Sequence, residues 1–282
     1  MGQPVDKLTI KGLKSIRALE ELELRNLNVL IGANGSGKTN FVSFFSLLRS
    51  IVNQELQLTV AKAGGADAHL FLGPKVTKQV EVRLWFGANG YEFVLEPTQR
   101  NRLVFSDETV HFGEYLDCLG IGHKEAKLKD AKDKPGHTAR RGVPWYVFDA
   151  LLSWVVYHFH DTSDTAAVRR MSTTRDYEKF RPDAGNLAAF LLRLRRKRAK
   201  AYKLIRDTVR LAAPFFDDFK LRPERNGADT AVQLEWTQKG SDYPFHPSQL
   251  SDGTLRFICL ATALLQPNPP STILLDEPEL GL

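Results

Sequence analysis

The sequence has 282 residues, of which 43% are hydrophobic and 26% are charged, as is usual for a globular protein. Its net charge of +6 permits contact with nucleic acid but does not demand it. Two distant cysteines exclude a disulfide framework or a Cys-based metal site, and no apolar run is long enough to cross a membrane, so we expect a cytoplasmic protein without a membrane segment.

The first third of the chain predicts strands followed by a helix. Alternating residues in Leu8–Ile16, Val80–Phe86 and Tyr91–Leu95 indicate half-buried strands, which we expect to form an antiparallel β-subdomain. The compact apolar run Asn28–Ile31 predicts a buried strand, and Lys38–Ile51 predicts a helix.

Between this strand and this helix lies GANGSGKT, a complete match to the phosphate-loop pattern GxxxxGK[ST]. Glycines let backbone N–H groups turn towards phosphates, and the following helix presents its positive end to the same anion. Lys38 would contact the β- and γ-phosphates, and the Thr39 hydroxyl would bind Mg²⁺. The alternative is a glycine turn that binds nothing. The predicted nucleotide-binding residues are Gly32, Ala33, Asn34, Gly35, Ser36, Gly37, Lys38, Thr39 and Asn40.

The middle of the chain contains a charged segment and a histidine pair. Lys124–Gly136 is nearly all charged and predicts a solvated or disordered loop. Trp154–His160 predicts a strand that places His158 and His160 on one face. Such a pair can bind zinc, but no further ligands are evident in the sequence, so we favour a structural pair or a cleft lining.

A long helix over Leu187–Ala213 is predicted next, and many of its residues are basic. Contact with DNA or RNA is one interpretation of this basic surface, and a solvated face or a protein contact is the one we favour. The basic residues are Arg193, Arg195, Arg196, Lys197, Arg198, Lys200 and Lys203.

Two features near the C-terminus carry candidate chemistry. LSDGTLR opens a helix over Thr254–Leu265, where Ser251 is either part of a second anion receptor or an ordinary N-cap. The apolar strand Ile273–Leu275 then leads into Asp276 and Glu277. Alternation would place these acids on opposite faces, Asp276 towards Mg²⁺ and Glu277 towards the attacking water, although a pair of turn-capping acids is the alternative.

The segments GANGSGKTN, LSDGTLR and ILLDEPELGL together resemble the ATPase heads of the SMC/RecF/OLD-like branch of the ABC superfamily, in particular its AAA-type bacterial members. The resemblance implies two heads that sandwich ATP and Mg²⁺, with Glu277 as catalytic base and Lys38 as the second catalytic residue. It also implies a D-loop that starts at Glu279 and a basic residue, Lys14, near the nucleotide. The residues implied to reach the nucleotide of the partner copy are Ser251, Asp252 and Gly253.

We therefore expect an α/β fold, a P-loop ABC-type head with an N-terminal antiparallel β-subdomain and an inserted, largely helical lobe. The predicted domain limits are 1–112, 113–245 and 246–282. In the family a histidine follows the Gly-Leu pair, whereas the sequence given ends at Leu282. We therefore expect either a fragment or a shortened head whose C-terminal part is missing.

The expected function is that of an ATPase that forms a homodimer on ATP and acts in DNA maintenance or antiphage defence, with a separate nuclease or effector as partner. The alternative is a nucleotide-gated binding module with little or no turnover. A small-molecule kinase is disfavoured because kinases lack the LSDGTLR element, and a transporter head is disfavoured by the form of that element.

Overall fold

The computed structural model describes residues 3–134, 141–226 and 229–279. The chain forms two compact units, the first from residues 1–154 with 271–274 and the second from residues 155–270 with 275–282. The domain limits expected from the sequence fall at other positions and stay a prediction. Within the described ranges, no helix has both the length and the apolar composition needed to cross a bilayer.

A six-stranded antiparallel sheet dominates the first unit. Its strands are β1 (Lys7–Leu13), β2 (Ile16–Glu23), β3 (Val80–Phe86), β4 (Asn89–Pro97), β5 (Leu103–Phe112) and β6 (Tyr115–Gly120). Their spatial order is β2-β1-β3-β4-β5-β6. Every second residue of β1 and β3 is buried, for example Leu8, Ile10, Val82 and Leu84, so the alternation in the sequence predicts the core face correctly. The predicted antiparallel β-subdomain is confirmed.

Among the described residues, four α-helices accompany this sheet: α1 (Lys38–Asn53), α2 (Leu56–Lys62), α3 (Leu128–Ala131) and α4 (Val143–Leu152). Helix α1 buries Phe41, Phe44, Leu48 and Ile51, which recur every three or four residues and so share one face. It ends where Gln54 adopts a left-handed conformation with φ of 62°. The helix predicted after the glycine loop is therefore present and starts at Lys38.

Two sequence predictions in the first unit are wrong. Asn28–Ile31 forms no strand; Val29 and Ile31 are 72% and 92% exposed, and the run makes no backbone–backbone hydrogen bond to a described residue. A strand needs a neighbouring strand, which an apolar run cannot supply by itself. The charged segment Lys124–Gly136 is not simply a solvated loop, because it contains α3, whose apolar Leu128 is buried.

The second unit mixes helices with short strands. The chain enters the second unit within β7 (Trp154–Tyr157), returns to the first between Pro270 and Ser271, and enters the second again at the end of β13 (Thr272–Leu275). Antiparallel pairs join β10 to β11, β11 to β8, and β9 to β12, while α6 packs against α5 and α7. The lobe predicted to be largely helical thus also contains strands. These elements are β8 (Ser172–Thr173), α5 (Leu187–Lys197), α6 (Ala199–Ala212), β9 (Phe216–Lys220), β10 (Pro223–Asn226), β11 (Asp229–Val232), β12 (Glu235–Gln238) and α7 (Asp252–Leu265).

The long helix predicted over Leu187–Ala213 is broken at Arg198, where φ is −143°. Leu187, Leu191 and Leu194 form the buried stripe of α5. A continuous helix would bring Arg198, four residues after Leu194, onto this same stripe. The break leaves Arg198 exposed and lets α6 begin a new buried face.

Candidate functional site

The glycine loop precedes α1 in the first unit, and its glycines have the conformations that the motif predicts. Gly35 and Gly37 have φ values of 82° and 100°, a region that side-chain-bearing residues rarely adopt. A Cβ atom on Gly37 would lie 2.8 Å from the Ser15 hydroxyl, and one on Gly32 would lie 2.6 Å from the Ser36 hydroxyl. The loop therefore requires glycine both for its turn and for its close approaches.

The side chain of Lys38 is folded back over this loop. Its Nζ donates hydrogen bonds to the carbonyl oxygens of Gly32 at 2.6 Å and of Ala33 at 3.1 Å. The ammonium group thus lies beside the concave backbone that would hold phosphate oxygens. The Thr39 side chain is exposed and makes no hydrogen bond to a described residue, so its hydroxyl is available to a metal ion.

The turn between β1 and β2 supports the loop from one side. Asn40 Nδ2 donates to Ser15 Oγ at 2.8 Å, and Lys14 Nζ donates to Ser43 Oγ at 3.0 Å. Burial lowers the pKa of Lys14 from its ordinary value. Ser15 is therefore a loop contact that the sequence did not indicate, while Lys14 contacts α1.

In the second unit, the predicted acidic pair follows β13. The strand ends at Leu275, and Glu277 has a φ of 44° immediately before Pro278. The expectation that the acids occupy opposite faces is wrong, because the alternation stops with the strand and Asp276 and Glu277 line one small cavity. Neither carboxylate makes a hydrogen bond or an ion pair with a described residue, so both are available to a ligand.

The histidine pair lies beside the first of these acids. β7 ends at Tyr157, so His158 and His160 follow the strand rather than belong to it. One ring nitrogen of each histidine and a carboxylate oxygen of Asp276 lie within 4.8 Å of one another. The sequence argument against a metal site depended on the lack of a third ligand, and the fold supplies one.

Ser251 is the N-cap of α7. Its Oγ accepts a hydrogen bond from the backbone N–H of Thr254 at 3.2 Å and lies 2.9 Å from the Thr254 hydroxyl. Ser251 and Asp252 are exposed, and Gly253 lies in the first turn of the helix. The N-cap interpretation is thus confirmed, and it leaves the serine accessible at the positive end of the helix dipole.

A buried arginine that the sequence analysis missed holds this helix start in place. Arg169 is 6% exposed, and its guanidinium donates to the carbonyl oxygens of Thr162 at 2.8 Å, of Leu250 at 3.4 Å and, at short range, of Pro247. It also pairs with the Asp252 carboxylate at 2.9 Å. Nothing in the local sequence distinguishes Arg169 from its exposed neighbour Arg170.

A second arginine joins α7 to residues 158–160, which carry the two histidines and are called the histidine segment below. Arg256, in α7, donates from Nε to the carbonyl oxygen of Phe159 at 3.1 Å and from Nη2 to that of His160 at 2.8 Å. The backbone N–H of His158 donates to the carbonyl oxygen of Pro182 at 3.0 Å. Hydrogen bonds therefore fix the backbone of this segment at both histidines.

The basic residues around the break between α5 and α6 divide into two groups. Arg195 donates to the carbonyl oxygen of Leu221 at 2.7 Å, and Arg193 lies over the Tyr177 ring at 4.9 Å. Five others are exposed and form no salt bridge with any described residue. These five, called the junction cluster below, are Arg196, Lys197, Arg198, Lys200 and Lys203.

Comparison with known folds agrees with this architecture. The SmcHead bound to the C-winged helix domain of ScpA is similar with a TM-score of 0.51 and 16% identity, covering 93% of this chain and 76% of that one. The Smc head domain with an extended coiled coil, bound to the C-terminal domain of ScpA and derived from Pyrococcus furiosus, has a TM-score of 0.53 and 16% identity, with coverages of 99% and 83%. At this identity the likeness establishes the fold alone.

Comparison at the level of sequence establishes the family. Among curated proteins, none matches this chain. The sequence profile of the family described as "AAA domain, putative AbiEii toxin, Type IV TA system" matches residues 27–92 and 150–282, which include the glycine loop, the helix start at Ser251 and the acidic pair. These ranges span more than half of the chain, which therefore belongs to this family of nucleotide-binding AAA domains and has the fold of a P-loop, SMC/ABC-type ATPase head.

Proposed function

We propose that this chain binds ATP with Mg²⁺ and hydrolyses it. The observation that carries the proposal is the glycine loop, in which Gly35 and Gly37 adopt φ values that favour glycine and Lys38 Nζ lies on the carbonyl oxygens of the loop. In this proposal residues 32–40 hold the phosphates and Lys38 contacts the β- and γ-phosphates. Thr39 and Asp276 hold Mg²⁺, since each offers an oxygen with no described partner, which is the ligand that Mg²⁺ prefers.

Glu277 is the proposed general base. Its carboxylate is exposed and has no described partner, so it is free to accept a proton from an attacking water. The positive φ at Glu277 is a conformation that costs about 1–3 kcal/mol for a non-glycine residue, and such conformations cluster at functional positions. Lys38 supplies the compensating positive charge on the phosphates.

The proposal includes a homodimer in which each nucleotide lies between two copies of the chain. Ser251, Asp252 and Gly253 of one copy would contact the γ-phosphate bound at Lys38 of the other. The exposed hydroxyl at the start of α7 and the positive end of that helix support this role. Loss of the γ-phosphate would remove the charge shared by both surfaces and so favour separation.

Steady-state phosphate release and size-exclusion chromatography with light scattering test these steps. We expect Lys38→Ala and Glu277→Gln to abolish release, and Glu277→Gln to accumulate an ATP-bound dimer. Lys62→Ala and Glu178→Gln change exposed residues outside the site and should leave both readouts unchanged. If the protein forms dimers with ATP but releases no phosphate, the alternative function, nucleotide-gated binding without turnover, is correct. If it stays monomeric in MgATP, the proposed dimer around ATP is wrong.

We further propose that the head acts on DNA, in DNA maintenance or antiphage defence, together with a separate nuclease or effector protein. The junction cluster supports this step, because its five cations are exposed and have no described anionic partner. Cations of this kind bind DNA by releasing counterions from phosphates. Arg195 is left out, since its guanidinium is already bonded to backbone carbonyls.

A salt-dependent gel shift tests the DNA step. Replacement of Arg196, Arg198 and Lys200 by glutamate should weaken DNA binding. It should also reduce, by about 3, the magnitude of the slope of the logarithm of the binding constant against the logarithm of the salt concentration. The matched control reverses exposed Lys62, Lys75 and Arg100 in the first unit and should not change the slope. Equal affinity for the triple variant and the unchanged protein would end the DNA proposal.

A further inference from the structure

The histidine segment and the first acid after β13 form a cluster with the composition of a metal site. A nitrogen of His158, a nitrogen of His160 and an oxygen of Asp276 lie within 4.8 Å of one another, all in the second unit. A tetrahedral metal at about 2.0–2.2 Å from each ligand holds its ligand atoms about 3.3–3.6 Å apart, so small side-chain movements would complete the site. Among the described residues, this is the one group of its kind.

The three side chains have no hydrogen-bonding partner among the described residues. Neither imidazole makes a hydrogen bond or an ion pair with a described residue, and the same is true of the Asp276 carboxylate, although His160 and Asp276 are half-buried. Their ligand atoms are therefore open to an ion from solvent. A cavity of about 10 Å³ adjoins His160 and Asp276, which is room for one water-sized particle.

The backbone around the ligands is held in advance of binding. Arg256 fixes the carbonyl oxygens of Phe159 and His160, while the N–H of His158 is bonded to Pro182. These bonds restrict the two histidines without occupying their ring nitrogens. A metal ion would therefore order three side chains rather than the whole backbone segment, so little conformational entropy opposes binding.

We propose that His158, His160 and Asp276 bind a divalent transition-metal ion of the zinc class. Two imidazoles and one carboxylate suit Zn²⁺ or Co²⁺, whereas Mg²⁺ prefers oxygen ligands throughout. Three protein ligands leave a coordination position for water, as in open zinc sites. The site does not require nucleotide, but it shares Asp276 with the proposed Mg²⁺ site, so the two ions compete for that carboxylate.

Titration of the full chain with Co²⁺, after metal removal and without nucleotide, tests the site by the visible absorption bands of bound cobalt. We expect one Co²⁺ per chain, displaced by Zn²⁺. Affinity should fall at least tenfold in each of His158→Ala, His160→Ala and Asp276→Asn. His246→Ala removes an exposed imidazole elsewhere in the same unit and should leave the affinity unchanged.

Two further measurements make the result decisive. Lys38→Ala should retain Co²⁺ binding while losing ATP binding, so failure of the metal site and failure of the proposed ATPase are separate outcomes. His158→Gln changes an exposed side chain and should keep the circular dichroism spectrum, so loss of cobalt bands in this variant cannot come from unfolding. Absence of bands in the unchanged protein, or equal binding by a His158→Ala/His160→Ala chain, would overturn the proposal.

Discussion

Replacement of Arg169 by methionine should destabilise the second unit strongly. The guanidinium is buried and donates to the carbonyl oxygens of Thr162, Pro247 and Leu250, as well as to the Asp252 carboxylate. Methionine fills much of the same volume but has no donor. The variant therefore leaves three carbonyl oxygens without the charged group that holds them together.

The size of the loss can be worked from these contacts. A hydrogen bond to a charged group contributes about 1.5–3 kcal/mol, and the long contact to Leu250 contributes least. The Asp252 side chain is 62% exposed, so solvent screens its ion pair to less than about 1 kcal/mol. We expect Arg169→Met to lower the free energy of unfolding by about 3–5 kcal/mol, and Asp252→Asn by less than about 1 kcal/mol.

Urea unfolding followed by tryptophan fluorescence and far-ultraviolet circular dichroism measures this loss. Arg170→Met changes the exposed neighbour and should stay within about 0.5 kcal/mol of the unchanged protein. Arg169→Lys keeps a positive charge but loses the planar guanidinium group. Its loss of stability should therefore lie between those of Arg170→Met and Arg169→Met. A loss for Arg169→Met no larger than that for Arg170→Met would refute the reasoning that this arginine organises the start of α7.

Three other predictions concern the phosphate loop, the sheet and the helix start. Burial, together with the neighbouring carboxylate of Glu108, raises the pKa of Tyr91 well above its ordinary value. As the pH rises, the Tyr91 hydroxyl therefore loses its proton in the unfolded chain before it does so in the folded chain. The free energy of unfolding should therefore fall as the pH rises above about 10, with a smaller slope for Tyr91→Phe in urea titrations at several pH values. Gly37→Ala should cost more stability than Gly64→Ala, since both have φ near 100° but only Gly37 would bring a Cβ against Ser15; thermal unfolding compares them. Ser251→Ala removes the N-cap and should lower the free energy of unfolding by about 1 kcal/mol, whereas Ser251→Asn keeps a cap and should not. Both variants should lose ATP-dependent dimers on size-exclusion chromatography. Dimerisation by the Asn variant would contradict the proposed contact of Ser251 with the partner's nucleotide.

The parts of the site that depend on local chemistry could be predicted from the sequence. Glycine spacing anticipates the positive φ values at Gly35 and Gly37, because no other residue type adopts them readily. A serine before a helix anticipates the cap at Ser251. Alternation anticipates the buried face of β1, since side chains of a strand point to opposite sides in turn.

The parts that depend on distant residues could not be predicted. Whether Asn28–Ile31 forms a strand depends on a neighbouring strand, and whether Arg169 is buried depends on carbonyl groups from Pro247 and Leu250. The position of Asp276 beside His158 is likewise set by the fold rather than by spacing in the sequence. These contacts join segments far apart in the chain, and periodicity carries no information about them.

Arg169 and Arg256 connect the start of α7 to the histidine segment and to the residues that follow it. Arg169 ties Thr162 to the loop before the helix, and Arg256 ties Phe159 and His160 to the helix itself. A rotation or slide of the helix would therefore stretch one of these hydrogen bonds. We therefore expect a displacement of the helix start at Ser251 to reach the backbone of His160 through Arg256.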